Sequence, residues 1–182
     1  MGLRPYQSNC LEKIKYNKDQ GIYRQLVAWC TGGGKTVLFA GLPDALNIKG
    51  RVLVLVHREE LATQAQDKIK HWNKNRTVGI EMGGTYSSDL DQIVVASVQT
   101  IARKGSKRLE KFKPQDFEAI VIDECHHGNS DSYITVLNHF KVFDPGNKIL
   151  VLGVTATPSR SDGQGLNKVF QTITDDLYSM GY

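Results

Sequence analysis

Five short runs of Val, Ile and Leu recur along the 182-residue chain, and none of them alternates cleanly between apolar and polar residues. Such runs are typical of strands that are buried on both faces of a sheet. They lie at 25–29, 51–56, 92–97, 119–124 and 148–154, and 77–82 is a weaker sixth. Stretches with helical spacing lie between them, at Gln7–Lys18, Lys35–Leu46, Glu59–Trp72 and Asp131–Phe140. This alternation predicts an α/β fold with a mostly parallel sheet flanked by helices on both faces.

The predicted helix Glu59–Trp72 has the clearest apolar face. Leu61, Ala65, Ile69 and Trp72 recur at helical spacing, and the methylene stem of Lys68 extends the same face. We therefore expect these side chains to pack against the sheet.

The composition excludes several classes of protein. Hydrophobic residues make up 40% of the chain and charged residues 23%, and no window approaches the 18 apolar residues of a membrane span. The three cysteines form no CxxC pair, so we expect a reducing environment inside the cell rather than a disulfide framework. The histidines and cysteines lack a zinc-ligand spacing, so no zinc is expected. A net charge of +4 permits a nucleic-acid partner but is too small to argue for one.

A glycine-rich loop, AWCTGGGKT at 28–36, joins a predicted strand to a predicted helix. Its glycines allow backbone N–H groups to converge on a phosphate at the start of a helix. Lys35 would reach the β- and γ-phosphates, and the Thr36 hydroxyl would ligate Mg²⁺. The phosphate-loop pattern G-x-x-x-x-G-K-[ST] requires glycine at position 29, where this chain has Trp29. The candidate nucleotide contacts are Thr31, Gly32, Gly33, Gly34, Lys35 and Thr36. The alternative is a glycine-rich turn that ends in Lys-Thr by chance.

Two carboxylates, Asp123 and Glu124, follow the apolar run AIVI at the carboxyl end of a predicted buried strand. Ligands of parallel sheets collect at that edge. Asp123 would hold Mg²⁺ through water, and Glu124 would orient and deprotonate an attacking water. The alternative is an acidic strand end that caps the next helix. Together with the loop, the pair predicts an enzyme that cleaves the γ-phosphate of a nucleotide.

Six segments, in order along the chain, resemble the first RecA-like domain of superfamily-two DExH helicases. They are LRPYQ (3–7), CTGGGKT (30–36), LVHREELATQA (55–65), SVQTI (97–101), DECH (123–126) and TATP (155–158). The resemblance covers residues 3–160 and is greatest to the branch that contains type III restriction subunits, XPB-like repair helicases and fungal mitochondrial branched-DNA helicases. This family tolerates residues other than glycine at the position of Trp29. The resemblance implies an ATP- and Mg²⁺-dependent helicase or translocase that acts on nucleic acid, with DNA expected rather than RNA.

The segment LRPYQ resembles the adenine-reading motif of that branch. The amide of Gln7 offers one donor and one acceptor to an adenine edge, and Arg4 and Tyr6 would stack on or position the base. The alternative is an ordinary helix start that uses Pro5.

The resemblance also implies residues that couple hydrolysis to the nucleic acid. His126 would serve this role beside the catalytic carboxylates, and a packed histidine is its alternative. Thr155 and Thr157 would form hydrogen bonds to the DECH segment. The alternative for these two threonines is an ordinary strand end before Pro158.

Candidate nucleic-acid contacts lie just after predicted strands, where N–H groups and hydroxyls can hold phosphates without reading sequence. They are His57, Arg58, Gly83, Gly84, Gln99 and Thr100. The basic run RKGSKRLEKFK at 103–113 predicts a solvated helix face, with an auxiliary contact to DNA as the alternative.

Helicases of this group have two RecA-like domains, and the second supplies arginine fingers. We expect residues 1–182 to be the first domain, with the second absent from this chain, and therefore to hydrolyse ATP barely or not at all when isolated. Two alternatives stay open: another P-loop NTPase, and a single-domain nucleotide- or nucleic-acid-binding module without turnover. The sequence does not distinguish the nucleus, the mitochondrion and the bacterial cytoplasm.

Overall fold

The computed structural model describes residues 2–30, 32–125, 131–156 and 166–176. Within these ranges seven strands form one sheet in the order β3-β4-β2-β5-β6-β1-β7, and every pairing between neighbouring strands is parallel. The strands are β1 Arg24–Ala28, β2 Arg51–Val56, β3 Val78–Glu81, β4 Ile93–Ser97, β5 Phe117–Asp123, β6 Leu150–Thr155 and β7 Thr172–Asp176.

Helices connect the strands and cover the sheet. They are α1 Pro5–Asp19, α2 Lys35–Ala45, α3 Glu59–Trp72, α4 Val98–Ile101, α5 Asp131–His139 and α6 Leu166–Val169, with single 3₁₀ turns at Leu109–Lys111 and Pro114–Asp116. Within the ranges just given, no helix is long and apolar enough to cross a bilayer.

Alternate residues of the central strands enter two separate cores. Along β2, Val52, Val54 and Val56 join the core beneath α1, α2 and α3. Leu53 and Leu55 point to the opposite core, beneath α4 and α5. A strand with a core on each face needs apolar residues at every position, which explains the uninterrupted runs in the sequence. The predicted α/β architecture, with helices on both faces of a parallel sheet, is confirmed.

Two local predictions are wrong. On α3, Ala62 is buried while Leu61 is 38% exposed. The buried face of α3 follows Ala62, Ala65 and Ile69 at helical spacing, and Leu61 lies at the edge of that face. The basic run 103–113 forms no helix beyond the turn at Leu109–Lys111, and Phe112 within it is fully buried.

The strand β7 was not predicted. Its sequence, TITDD, is mostly polar, because β7 is an edge strand that pairs only with β1 among the described strands.

Candidate functional site

The carboxyl ends of β5, β6 and β1 lie side by side, because these strands are consecutive in the sheet. Ala28, the last residue of β1, pairs with Thr155 at the end of β6. The neighbouring Val154 pairs with Asp123 at the end of β5. The glycine-rich loop that follows β1 is therefore one strand away from the carboxylates, and Thr155 lies between them.

The glycine-rich loop depends on glycine at two positions. Gly32 and Gly34 have φ angles of +87° and +75°, in the left-handed region that side chains disfavour. A Cβ atom on Gly34 would also lie 2.4 Å from Nε2 of Gln7. Gly34 is the N-cap of α2, so Lys35 and Thr36 are the first two residues of that helix. The loop thus has the strand–loop–helix context that binds phosphate.

Lys35 extends from the start of α2 to the end of β5. Its Nζ donates a hydrogen bond to Oε1 of Glu124 over 2.6 Å, and the two side chains are only 10% and 30% exposed. The predicted phosphate-binding lysine and the predicted catalytic carboxylate are therefore in direct contact.

Asp123 is the last residue of β5, and Glu124 begins the turn that follows it. The N–H of Glu124 donates to Oδ1 of Asp123 over 3.1 Å, and Glu124 has a φ angle of +50°, which is rare for a residue with a side chain. Burial raises the pKa of Asp123 above its usual range, the charge of Glu124 raises it further, and Lys35 partly opposes both. An acidic pair in a strained turn at a cleft edge is typical of a functional site.

Gln7 is buried beneath the loop. Its Oε1 accepts a hydrogen bond from the backbone N–H of Arg4 at 2.9 Å, and its Nε2 lies 3.5 Å from the carbonyl oxygen of Gly34. The hydroxyl of Tyr6 donates to the carbonyl of Gly33 over 3.0 Å, and the exposed Arg4 reaches that hydroxyl at 3.5 Å. The segment 4–7 therefore contacts the phosphate loop, while the role of Gln7 in reading adenine stays a prediction.

The predicted nucleic-acid contacts follow β2, β3 and β4, which form the other half of the same sheet edge. Thr100 is bonded to one of the other predicted contacts, because its Oγ1 accepts a hydrogen bond from the N–H of Gly83 over 3.3 Å, and the same hydroxyl donates to Oε1 of Glu59 over 3.1 Å. Gly83, Gln99 and Thr100 line a cavity of about 560 Å³, the Gly83–Thr100 cavity. His57 and Arg58 lie between β2 and α3, with Arg58 exposed as the helix N-cap, and Gly84 is exposed beside Gly83.

Three predicted site residues lie outside the described part of the chain: Thr31, His126 and Thr157. Within the described ranges, no group of three or more His, Cys, Asp or Glu side chains is arranged to hold a metal ion. All three cysteines are free thiols.

The family model described as "Type III restriction enzyme, res subunit" matches residues 1–160. The chain belongs to this family.

Two fungal proteins are relatives of this res-family chain. The proposed mitochondrial ATP-dependent helicase irc3 of Schizosaccharomyces pombe is 39% identical over 168 residues, which cover 90% of this chain and 27% of that protein. The proposed ATP-dependent helicase IRC3 of Saccharomyces cerevisiae is 39% identical over 183 residues, which cover 94% of this chain and 26% of that protein. The chain thus spans about a quarter of the length of these curated relatives.

A solved structure supports the fold assignment. The helicase domain of Hef from Pyrococcus furiosus superposes with a TM-score of 0.73 at 22% identity, covering 95% of this chain and 38% of that one. The res-family chain therefore has the RecA-like fold that the sequence resemblance implied.

Sequence reasoning missed a cluster that supports the loop from below. Trp29 is fully buried in the position where the phosphate-loop pattern has glycine, and its Nε1 donates to Oδ2 of Asp175 over 2.9 Å. The other oxygen of Asp175 pairs with Nζ of Lys13 over 2.6 Å, and Tyr6 packs edge-on against Trp29 at 5.2 Å between ring centroids. Trp29 was the visible signal for this cluster, but its partner Asp175 lies on the unpredicted strand β7.

Proposed function

We propose that this chain is the first RecA-like domain of an ATP-dependent helicase or translocase that acts inside the cell on nucleic acid, with DNA preferred to RNA. One observation carries the proposal: the contact of Lys35 with Glu124 lies on the same sheet edge as the Gly83–Thr100 cavity. Hydrolysis of ATP at one half of the edge can thereby be coupled to a nucleic-acid strand that is bound at the other half.

The residues at the nucleotide half divide the work of hydrolysis. N–H groups of the loop and the ammonium of Lys35 would hold the phosphates of ATP. The Glu124 carboxylate would orient the attacking water and accept its proton. Thr155 ends β6, which pairs with both β1 and β5, and would respond to changes at the loop and at the carboxylates.

Two residues of this half would supply the oxygen ligands that Mg²⁺ prefers. The Asp123 carboxylate and the Thr36 hydroxyl would hold the ion, Asp123 through water, and both are hard oxygen donors. Oδ1 of Asp123 accepts one backbone bond, which fixes the orientation of the carboxylate. When bound, Mg²⁺ supplies positive charge that neutralises the β- and γ-phosphates.

We infer that a second RecA-like domain of the parent protein completes the site. The fungal relatives are about four times as long as the aligned region, which leaves room for such a domain in them. An arginine finger contributes roughly 10³- to 10⁵-fold to phosphoryl transfer in P-loop enzymes. The 182-residue chain should therefore bind Mg·ATP and hydrolyse it very slowly.

Binding of a fluorescent ATP analogue to the 182-residue chain tests the nucleotide site. Lys35→Ala should weaken binding at least about tenfold, because the lysine supplies a charge-assisted contact to the phosphates. Lys49→Ala is the matched control, since Lys49 is an exposed lysine that follows the carboxyl-terminal end of α2, away from the loop. Equal affinity of the Lys35→Ala variant and the wild-type chain would overturn the assignment of the loop.

A further inference from the structure

Basic residues of the segment 103–108 line the same cavity as the predicted nucleic-acid contacts Gly83, Gln99 and Thr100. Arg103, Lys104 and Arg108 line this 560 Å³ cavity together with those three contacts. Arg103 and Lys104 are exposed, and neither forms an ion pair with any residue that the structure describes. These two cations are therefore available to a ligand that enters the cavity.

Tyr86 lies next to this cavity. Its side chain is 67% exposed, and the guanidinium of Arg108 covers one part of the ring at 4.0 Å from the centroid. An exposed aromatic ring beside free cations is the arrangement on which bases of single-stranded nucleic acid stack while the cations hold phosphates. The contact with Arg108 holds the ring in place, and most of the side chain is open to solvent.

A buried carboxylate fixes this arrangement in place. Glu81 is fully buried at the end of β3, and its Oε2 accepts bonds of 2.9 Å from both the N–H and the hydroxyl of Ser87, the residue after Tyr86. The same oxygen pairs with Lys111, and Oε1 lies 3.3 Å from Arg108.

The guanidinium of Arg108 is therefore occupied by contacts within the protein. It donates to the carbonyl oxygen of Gly83 over 2.6 Å in addition to its contact with Glu81. Its role is to support the Tyr86 ring, while Arg103 and Lys104 keep their charges free for a ligand.

We propose that Tyr86, Arg103 and Lys104 form a second contact surface for single-stranded nucleic acid, with a base stacked on Tyr86 and phosphates held by Arg103 and Lys104. This inference rests on the proposed function, because it adds a base contact beside the Gly83–Thr100 cavity, whose lining includes Arg103 and Lys104. It also names the kind of contact: stacking on one base, which backbone contacts at Gly83 and Thr100 do not provide.

Fluorescence anisotropy with labelled oligo(dT), and with an abasic oligonucleotide of the same length, tests the stacking. Tyr86→Ala should weaken binding of the 182-residue chain to oligo(dT) by about fivefold to a hundredfold, which corresponds to loss of one stacked base. It should leave binding to the abasic strand unchanged, and Tyr86→Phe should bind both strands as the wild-type chain does.

The phosphate contacts have a separate test that does not depend on Tyr86. The logarithm of the binding constant falls linearly with the logarithm of the salt concentration, and each phosphate contact on a single strand adds about 0.7 to the magnitude of that slope. The double variant Arg103→Ala/Lys104→Ala should therefore reduce the magnitude of the slope by about 1.4. Lys49→Ala/Lys74→Ala removes the same charge from another cavity of the chain and should leave the slope unchanged. If the wild-type chain binds oligo(dT) but all these variants bind identically, the second surface is refuted and the proposed function survives. If the wild-type chain binds no oligonucleotide even at low salt, both proposals fail.

Discussion

Lys35 and Glu124, 89 positions apart in the chain, are joined by a contact of 2.6 Å between Nζ and Oε1. The lysine that would hold the phosphates and the carboxylate that would activate water thus neutralise each other. ATP must displace Glu124 from Lys35 before either residue can take its predicted role. The ion pair therefore opposes nucleotide binding.

Glu124→Gln should bind ATP more tightly than the wild-type chain. The variant frees Lys35 and removes a negative charge beside the triphosphate. A partly exposed ion pair contributes up to about 1 kcal/mol, so the gain should be about fivefold or less. Titration calorimetry with ATP and Mg²⁺ measures it, and Glu12→Gln, which removes an exposed carboxylate on α1, is the control. Unchanged affinity of Glu124→Gln would show that the pair does not compete with nucleotide.

Glu124→Gly should be more stable than Glu124→Ala by up to about 1 kcal/mol. Both variants remove the carboxylate, so the difference isolates the cost of a side chain at a φ angle of +50°. The greater entropy of glycine in the unfolded chain offsets part of the gain. Urea unfolding of the two variants gives the difference. A more stable alanine variant would indicate that the turn relaxes once the Lys35 contact is lost.

Asp123→Asn should stabilise the chain at neutral pH. The folded-state pKa of Asp123 is raised by burial, so the folded chain binds more protons than the unfolded chain between the ordinary aspartate pKa and the raised one. The stability of the wild-type chain therefore falls as the pH rises through that window, and the asparagine variant lacks this loss.

Urea unfolding of both chains across pH tests the sign. The stability advantage of Asp123→Asn should disappear at a pH below the ordinary aspartate value, where the carboxyl is protonated in both states. Asp89→Asn, which changes an exposed carboxylate, should show no comparable advantage. An advantage that persists unchanged into acid would mean that the effect does not come from ionisation of Asp123.

Asp175→Ala should destabilise the chain by about 1–3 kcal/mol, because it leaves the buried indole N–H of Trp29 without its acceptor. Asp175→Asn keeps an oxygen that can accept this bond and loses only the charge that faces Lys13, so it should cost less. Chemical unfolding followed by tryptophan fluorescence ranks the two variants. Equal losses would attribute the effect to the Lys13 pair instead.

The sequence was sufficient for the layers of the fold because the central strands are buried on both faces. Runs such as RVLVLV are typical of strands that are buried on both faces of a sheet. Asp123 and the glycine-rich loop lie at the carboxyl ends of two such runs, where the ligands of a parallel sheet bind. The edge strand β7 could not be predicted, because its residues are largely polar. Its position depends on its pairing with β1, which no local pattern reveals.

The site was predictable as a set of residues but not as a set of contacts. Motif spacing brought Lys35, Asp123 and Glu124 to one edge, yet nothing local indicates that Lys35 bonds to Glu124. Similarly, the basic run 103–113 gives no sign that Arg108 and Lys111 share the buried carboxylate of Glu81, because that carboxylate lies about 30 residues earlier in the chain.

The pair of Lys13 with Asp175 spans 162 positions, and Asp175 also holds the tryptophan at the base of the phosphate loop. During synthesis on a ribosome, residues 13 and 29 emerge long before residue 175. The contacts that support the loop can therefore form only after residue 175 has left the ribosome. A nascent chain should acquire native affinity for ATP only after that point, which would make ATP a marker of a folded domain rather than an early guide to folding.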